Sequence, residues 1–558
     1  MRLQCACFKL RALDLAAKLD TVEASKLAGA TAARGPGPSL WSPFRHRAFS
    51  IIWTATVVSN VGSWMYSAAA AWLMTGLNPN PVLVALVQVA TTLPMFLFAI
   101  PAGAYTDIAD KRRFLIAGEC ITTLIATAFA VLVWQHLVTP ALLLLFIFLL
   151  EAASAVTAPA WQSVVPLLVP REDLPAAVAM NSVGINVSRA VGPALSGVIT
   201  AASSIAAPFW VNAASNIGVI GALWSWHSPK ARPTSLPAEH VRSAIRVGIR
   251  HARNNGQLRA TLARSATFFF FASCYWALLP LVARSQIGGN ATVYGVLLGA
   301  IGASAIVGAL ALPRLRSLGP GRVVAAGSVG TALAMALFGI ARGAPVALAA
   351  SVIAGVSWIF AVATLNVSAQ IALPEWVRGR GLAIYVTMMF GALTLGSIVW
   401  GQVARSADVP VALFIAAAGT LLTIPLTRHW QLRTGEGADL SPSMDWRPPV
   451  VTLDIDRDTG PVMVTVEYRV VPANRAQFLV GLDRLSHERS ADGAYAWGIF
   501  EDVAAPGRFL ETFLVESWLE HLRQHERVTN ADRVLQEHIN HLVIGEPVVT
   551  HLIAPNRD

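Results

Sequence analysis

Two side chains of opposite charge, Glu151 and Arg189, stand deep inside long apolar stretches of the sequence. Glu151 lies eleven residues past Pro140, and Arg189 lies thirteen past Ala176. At about 1.5 Å of helical rise per residue they sit ~17 Å and ~20 Å from the ends of their segments. In helices that cross a ~30 Å hydrocarbon layer, both are near the midplane. A charge there costs at least ~2.5 kcal/mol on insertion scales unless it is paired or wet. Adjacent antiparallel helices can bring the two together as a structural ion pair. The competing reading gives Glu151 a coupled proton or a contact with substrate. Glu119 lies nearer a segment end and reads as a helix-end charge. Asn60, Gln88, Asn212, Asn216, Asn366 and Gln370 are polar residues that suit a central cavity, although interhelical hydrogen bonding explains any one of them equally well.

Two short motifs carry mechanical chemistry. The first runs Gly103-Ala104-Tyr105-Thr106-Asp107-Ile108-Ala109-Asp110-Lys111-Arg112-Arg113. A small residue lets two helices approach, a carboxylate closes a helix end and bases begin the next helix. Together they make an ionic latch that holds one conformation and releases in another. The simpler reading is ordinary loop charge. The second runs Ser188-Arg189-Ala190-Val191-Gly192-Pro193-Ala194-Leu195-Ser196-Gly197. Gly and Ser permit close helix contact, and Pro removes a backbone hydrogen bond and allows a bend.

The elements that must position these residues follow from composition. Of 558 residues 55% are hydrophobic and 13% charged, and mean hydropathy is +0.55, which makes most of the chain membrane. Four cysteines, Cys5, Cys7, Cys120 and Cys274, build neither a disulfide framework nor a four-ligand zinc cluster. The net charge of +10 invites a nucleic-acid reading until it is divided. Residues 1–430 hold 30 Lys+Arg against 12 Asp+Glu, or +18, while residues 431–558 hold 12 against 20, or −8. The partner of the first part is therefore a lipid bilayer, and the second part is an acidic soluble domain.

Apolar runs of spanning length occur at 49–73, 82–106, 113–134, 140–162, 176–200, 208–226, 265–284, 293–315, 323–341, 345–369, 382–404 and 410–428, twelve in all. Counted from a cytoplasmic N-terminus, the inner loops collect seventeen Lys and Arg, and the outer loops hold only Arg284, Arg342 and Arg405. Cytoplasmic loops retain basic residues, so both termini are expected inside. The chain then divides into an N-terminal extension (1–43, expected to be disordered), a six-helix half (44–226), a basic linker (227–264), a second six-helix half (265–430), a linker (431–461) and a tail domain (462–555). In the basic linker Val241, Ile245, Val247 and Ile249 alternate with Arg242, Arg246, Arg250 and Arg253, the pattern of an amphipathic helix at an anionic surface or of a solvated linker helix. The halves carry a weak repeat. At an offset of 204, Pro170 matches Pro374, Gly192 matches Gly396 and Gly197 matches Gly401; Gly103-Ala104 has a counterpart in Gly308-Ala309, and Arg113 with Gly118 in Arg322 with Gly327.

The loop after the second span resembles the major facilitator signature Gly-x-Leu-Ala-Asp-Arg-x-Gly-Arg-Lys/Arg. Gly103, Asp107, Lys111 and Arg112 stand at its glycine, acid and bases, while Tyr105, Ile108 and Asp110 depart from it, and Asp110 offers a second acid. The fifth-span motif with Arg189, Gly192, Pro193 and Gly197 is similar to the Gly-Pro-x-x-Gly-Gly motif of exporters and antiporters in that superfamily, with Ser188 and Ser196 in place of two glycines. Phe44-Arg45, Trp53, Ser59 to Met65, Trp72-Leu73-Met74 and Ala85 to Gln88 narrow the likeness to the bacterial branch of the enterobactin exporter and the transmembrane secretion effectors, over residues 40–430. The resemblance implies a proton-driven exporter of small molecules, siderophore-like or drug-like, in a bacterial inner membrane. It implies no cofactor, and no Gly-x-x-x-x-Gly-Lys-Ser/Thr loop for ATP occurs. An importer of the same superfamily is the nearest alternative.

The tail reads β (462–470), α (473–489), β (494–501), β (508–515), α (518–538), β (547–553), an α+β ferredoxin-like order. It is similar to the dimeric domains of antibiotic-biosynthesis monooxygenases, which implies self-association through the tail. A membrane-anchored monooxygenase-like enzyme is the competing class, although twelve helices with an internal repeat are excessive for an anchor. His521 and His525 share a helix face at metal-ligand spacing, but without a third ligand they read as a solvated face or dimer contact, so no metal is expected.

Overall fold

The structure is a computed structural model that describes residues 39–106, 110–226, 241–374, 376–432 and 459–554. Nearly all of the expected N-terminal extension, Asp107, the first part of the basic linker and most of the 431–461 linker lie outside the described residues.

Twelve helices of 18 to 31 residues occupy 47–426. The first six are α1 (Arg47–Leu77), α2 (Pro81–Thr106), α3 (Lys111–Trp134), α4 (Pro140–Leu168), α5 (Leu174–Ala202) and α6 (Ala207–Ser225). A shorter α7 (Val241–Asn254) leads to α8 (Gly256–Leu281), α9 (Ala291–Leu315), α10 (Pro320–Ile340), α11 (Ala344–Ile371), α12 (Arg378–Ala407) and α13 (Val409–Leu426). Among the described residues nine of these helices are long and apolar enough to cross a membrane. The remaining three, α1, α5 and α6, are long but interrupted by Asn60, by Asn181, Asn186 and Arg189, and by Asn212 and Asn216. Side-chain caps start several of them. Thr139 Oγ1 accepts from Leu142 N at 3.3 Å ahead of α4, and Asn255 Oδ1 accepts from Leu258 N at 2.9 Å ahead of α8.

The helix pairing within 47–225 repeats within 256–426. In the first half α1 packs on α5 and α6, α2 on α4, and α3 on α4 and α6. In the second, α8 packs on α12 and α13, α9 on α11, and α10 on α11 and α13. Three of the four glycine pairs matched by the sequence repeat take equivalent places; Gly308 packs on Val356 and Ile359 of α11, whereas Gly103 has no described atom close to its Cβ position. A Cβ on Gly192 of α5 would stand 2.9 Å from Val61 O of α1, and one on Gly396 of α12 would strike Phe270 O of α8. Gly197 faces Ala291 O and Thr292 of α9, whereas Gly401 faces Pro81 O and Ala85 of α2. Gly118 meets Thr157 of α4, and Gly327 meets Ser357 and Ala361 of α11. Small residues therefore recur where the same two helices of each half come close.

The basic helix α7 forms. It is clamped to the second half, with Gly248 against Arg380 and Ile384 of α12, and the His251 ring 5.6 Å from Trp376. The tail reaches it from the other direction. Tail strands β1 (Val462–Arg469), β2 (Tyr495–Glu501), β3 (Arg508–Val515) and β4 (Val548–Ile553) form one antiparallel sheet in the order β2-β3-β1-β4. Helix α14 (Arg475–Ala491) packs on α7, and the second helical stretch is broken into α15 (Trp518–Arg527) and α16 (Asn530–Asn540). Val464, Val466, Tyr468, Phe478, Leu482, Phe509 and Phe513 fill the space between sheet and helices. Val462 pairs with Val515 and Ile553, which fixes the register of the central strand.

Candidate functional site

The two halves meet along α2 with α12 and along α5 with α9, the same pairing seen from either side. On α9, Gly295, Gly299 and Gly302 form a strip against α5. Cβ atoms there would lie 2.5 Å from Pro193 O, 3.1 Å from Ala190 O and 2.7 Å from Ala190 Cα. On the opposite seam Thr92 Oγ1 and Thr394 Oγ1 share a buried hydrogen bond of 2.8 Å, and Gly391 faces the Phe96 ring. The Gly295–Pro193 approach falls in the first part of α9 and the last part of α5, the helix portions remote from α7 and the tail, whereas Thr92–Thr394, Gly391–Phe96 and Gly302–Ala190 meet near the middle of their helices. At that remote end the halves are also clasped. Arg284, in the π-helical turn Val282–Gln286 after α8, donates from Nη1 to Thr75 Oγ1 at 3.2 Å. Its guanidinium stands 5.3 Å from the centroid of Trp72, whose ring stacks on Tyr294 at 5.8 Å. The sequence reading took Arg284 only as a loop charge.

Near the middle of the bundle lie the two charged side chains. Glu151 and Arg189 do not pair. Arg189 rests over the indole of Trp64, 5.1 Å from its centroid, and interacts electrostatically with Tyr275 of α8. Among the described residues it has no carboxylate at ion-pairing distance, and its Nε is buried without a hydrogen-bond acceptor. Glu151 is half-buried and faces Tyr66, whose hydroxyl is likewise buried and without a hydrogen-bond partner. The expected pair fails because α4 and α5, adjacent in sequence, are barely adjacent in space. Helix α4 packs on α2 and α3, while α5 packs on α1 and α9. From the second half Trp276 and Trp358, both half-buried, approach edge to face at 5.4 Å beside Tyr275.

A sequence profile of transmembrane secretion effectors matches residues 38–558, tail included. The chain belongs to the transmembrane secretion effector family. This is a branch of the major facilitator superfamily, and both the family and the matched relatives are transporters rather than enzymes. The staphyloferrin A transporter of Staphylococcus aureus is 24% identical over 257 residues, 46% of this chain and 64% of that protein. Macrolide efflux protein A of Streptococcus pyogenes is 22% identical over 250 residues, 43% of this chain and 60% of that protein. The chain thus spans about three fifths of the length of these curated relatives. The solved nucleoside transporter NupG superposes with a TM-score of 0.57 at 14% identity, covering 69% of this chain and 100% of that one, which shows the fold.

The motifs of this secretion-effector chain are placed unevenly. Gly103 has no described atom within 4 Å of a Cβ position, so it makes no close helix contact here. Asp110 caps α3, accepting from Arg113 N at 3.1 Å, with the Arg113 Nε 3.9 Å from its other oxygen. Among the described residues the partners of Arg112 are backbone carbonyls. It donates from Nε to Leu223 O at 3.0 Å and from Nη2 to Trp224 O at 2.6 Å, holding the end of α6. Lys111 opens α3, and Asp107 lies outside the described residues.

The polar candidates divide likewise. Asn212 and Asn216 are buried between helices, accepting from Ser63 at 3.4 Å and Ser59 at 2.7 Å of α1, which removes them from a cavity wall. Asn60 and Gln88 are half-buried. Asn366 and Gln370 are exposed and bonded to each other at 2.8 Å. Glu119 accepts from Trp161 Nε1 at 3.2 Å, an interhelical contact rather than a free helix-end charge. In the tail the His521 ring lies 4.7 Å from that of His551, the side chain of His525 lies outside the described residues, and no metal-binding group occurs among the described ones.

Proposed function

We propose that this protein is a proton-coupled secondary transporter that exports small molecules by rocking its two halves about a midplane site. The observation that carries this reading is the placement of contacts between the halves. The Arg284 clasp and the close approaches of Gly197, Gly295 and Gly401 lie toward the end remote from α7 and the tail. Such a seam holds one end shut while the other end is free to admit a ligand. The excess of basic residues in the loops on the tail side makes that side cytoplasmic, so all twelve long helices cross, both termini lie inside and this conformation is inward-facing. Gly103, with no described atom close to its Cβ position, fits the same state, because a latch at the cytoplasmic end closes only when the protein faces outward. Glu151, near enough to Tyr66 to interact electrostatically and with no basic partner among the described residues, is the proton carrier in this reading.

The tail supports self-association. Its sheet presents Met463, Phe500, Leu510, Val548 and Leu552 on an exposed face, each 36% or more accessible, and a second copy of that sheet is the occupant that matches it.

Direction and coupling are tested together in everted membrane vesicles holding the protein. Labelled siderophores and macrolides should accumulate inside when the lumen is acidified, and Glu151→Gln should abolish accumulation against the gradient. Uptake indifferent to the pH gradient would refute coupling, and movement only out of the vesicles would make the protein an importer.

A further inference from the structure

Near the midplane Arg189 has no counter-charge among the described residues. Glu151 and Arg189 sit on helices that are barely in contact, and the Arg189 Nε proton is buried with no acceptor. The Tyr275 hydroxyl, on the other half of the molecule, is also buried and its proton has no acceptor. It is close enough to Arg189 for the two to interact electrostatically. The indole of Trp64 supports the guanidinium face, so the N–H groups are held at its edge. Trp276 and Trp358 supply a half-buried aromatic wall next to Tyr275.

We propose that the cargo is an amphiphilic organic anion, its acidic group gripped by Arg189 and the Tyr275 hydroxyl and its apolar body laid against Trp276 and Trp358. This rests on the transporter reading and names the class of molecule carried. An acidic oxygen between these donors gains charge-assisted hydrogen bonds and neutralises a charge that is costly at this depth. A neutral analogue leaves both donors unsatisfied, which penalises it more than the loss of one contact would. Because Arg189 belongs to the first half and Tyr275 to the second, the anion also bridges the halves.

The test uses the full chain in lipid nanodiscs and two probes, dansyl-glycine and dansyl-aminoundecanoic acid, each with its primary amide. Binding is read by energy transfer from tryptophan to dansyl. The acids should bind about tenfold or more tighter than their amides. Arg189→Gln and Tyr275→Phe should reduce that preference, and Arg189→Lys should keep part of it if the charge is what matters. Equal binding of acid and amide, no binding of either acid, or an undiminished preference in Tyr275→Phe and Arg189→Gln would overturn the proposal. Tyr275→Phe, which deletes one oxygen, keeps the test decisive if Arg189→Gln does not fold. Transport of the same probes is measured separately in proteoliposomes. Acids bound but not moved would defeat the transporter reading and leave the anion site standing; movement without acid preference would do the reverse.

Discussion

Arg284 stands over the ring of Trp72, 5.3 Å from its centroid, so the end of α8 in the second half is fastened to the end of α1 in the first. Its second contact, to Thr75 Oγ1, is a single hydrogen bond between side chains. Both contacts join the halves through the polar and cationic groups of Arg284 rather than through apolar packing. Arg284→Gln should therefore open this end without unfolding the bundle. A cation–π contact of about 0.5–2 kcal/mol shifts a two-state balance by roughly twofold to thirtyfold. Hydrogen exchange should accelerate at residues 78–80 and little elsewhere; unchanged exchange there would show that the clasp does not hold the end shut.

The glycine strip on α9 makes a packing prediction with an internal control. A side chain at Gly302 must displace Ala190, whose Cα would lie 2.7 Å from its Cβ. Gly302→Val should cost about 1–3 kcal/mol and lower both yield and transport. Gly218→Ala, where no described atom lies within 4 Å of the new carbon, should leave both unchanged. Equal behaviour of the two variants would mean that α5 and α9 are not held at this distance.

Separation of Glu151 from Arg189 predicts additivity. In a double-mutant cycle of Glu151→Gln with Arg189→Gln, scored by thermal stability, the coupling energy should stay within about 0.5 kcal/mol of zero. Rescue of one variant by the other would restore the ion pair that this conformation lacks.

The tail is centred on a buried carboxylate. Glu511, 0% exposed, accepts from Tyr468 Oη at 2.8 Å, Arg489 Nε at 2.9 Å and Trp497 Nε1 at 2.9 Å. Glu511→Gln removes the charge and strands Arg489 beneath the helices, so the tail should lose about 3–5 kcal/mol. Differential scanning calorimetry of the full chain should show the tail transition moved down with the bundle transition unmoved.

Acid should loosen the same domain from its surface. The Arg508 guanidinium holds Glu467 below the ordinary carboxylate range, Arg475 does so for Glu501, and backbone N–H of Ala504 with Arg508 does so for Asp502. A carboxylate whose folded pKa is lowered stabilises the fold above its unfolded pKa, and the contribution is lost as pH falls through the folded value. Tail stability should be level near neutrality and fall below about pH 4. Arg508→Ala, which removes a partner shared by Glu467 and Asp502, should make that fall shallower.

Much of this architecture was legible because hydropathy alone marks long apolar helices, and because Gly192, Gly197, Gly396 and Gly401 recur at a constant offset. The tail strands were readable from alternation such as Val462-Met463-Val464-Thr465-Val466, which the sheet realises with its buried and exposed faces. The seventh span was expected at 265–284, yet α8 begins at Gly256, since its first turns are too polar for a hydropathy reading but are capped by Asn255. Other features were invisible for physical reasons. Chain order does not say that α4 and α5, which carry Glu151 and Arg189, are barely adjacent in space. Asn212 and Asn216 look like cavity residues until Ser59 and Ser63 are seen to bond them. Gly295, Gly299 and Gly302 were spaced to reveal a packing face, but they are three among 41 glycines. Arg284 could have been noticed as one of very few bases in the loops remote from α7 and the tail.

Alternation between two states is most directly tested by a pair of distances in one preparation. Spin labels at residues 78 and 288 report the outer end, and labels at residues 171 and 376 report the inner end, measured by double electron–electron resonance in nanodiscs across a pH titration. The account predicts two populations at each end, with the outer pair lengthening as the inner pair shortens and Arg284→Gln raising the outer-open share. A single distance at each end, unmoved by pH and by Arg284→Gln, would contradict it.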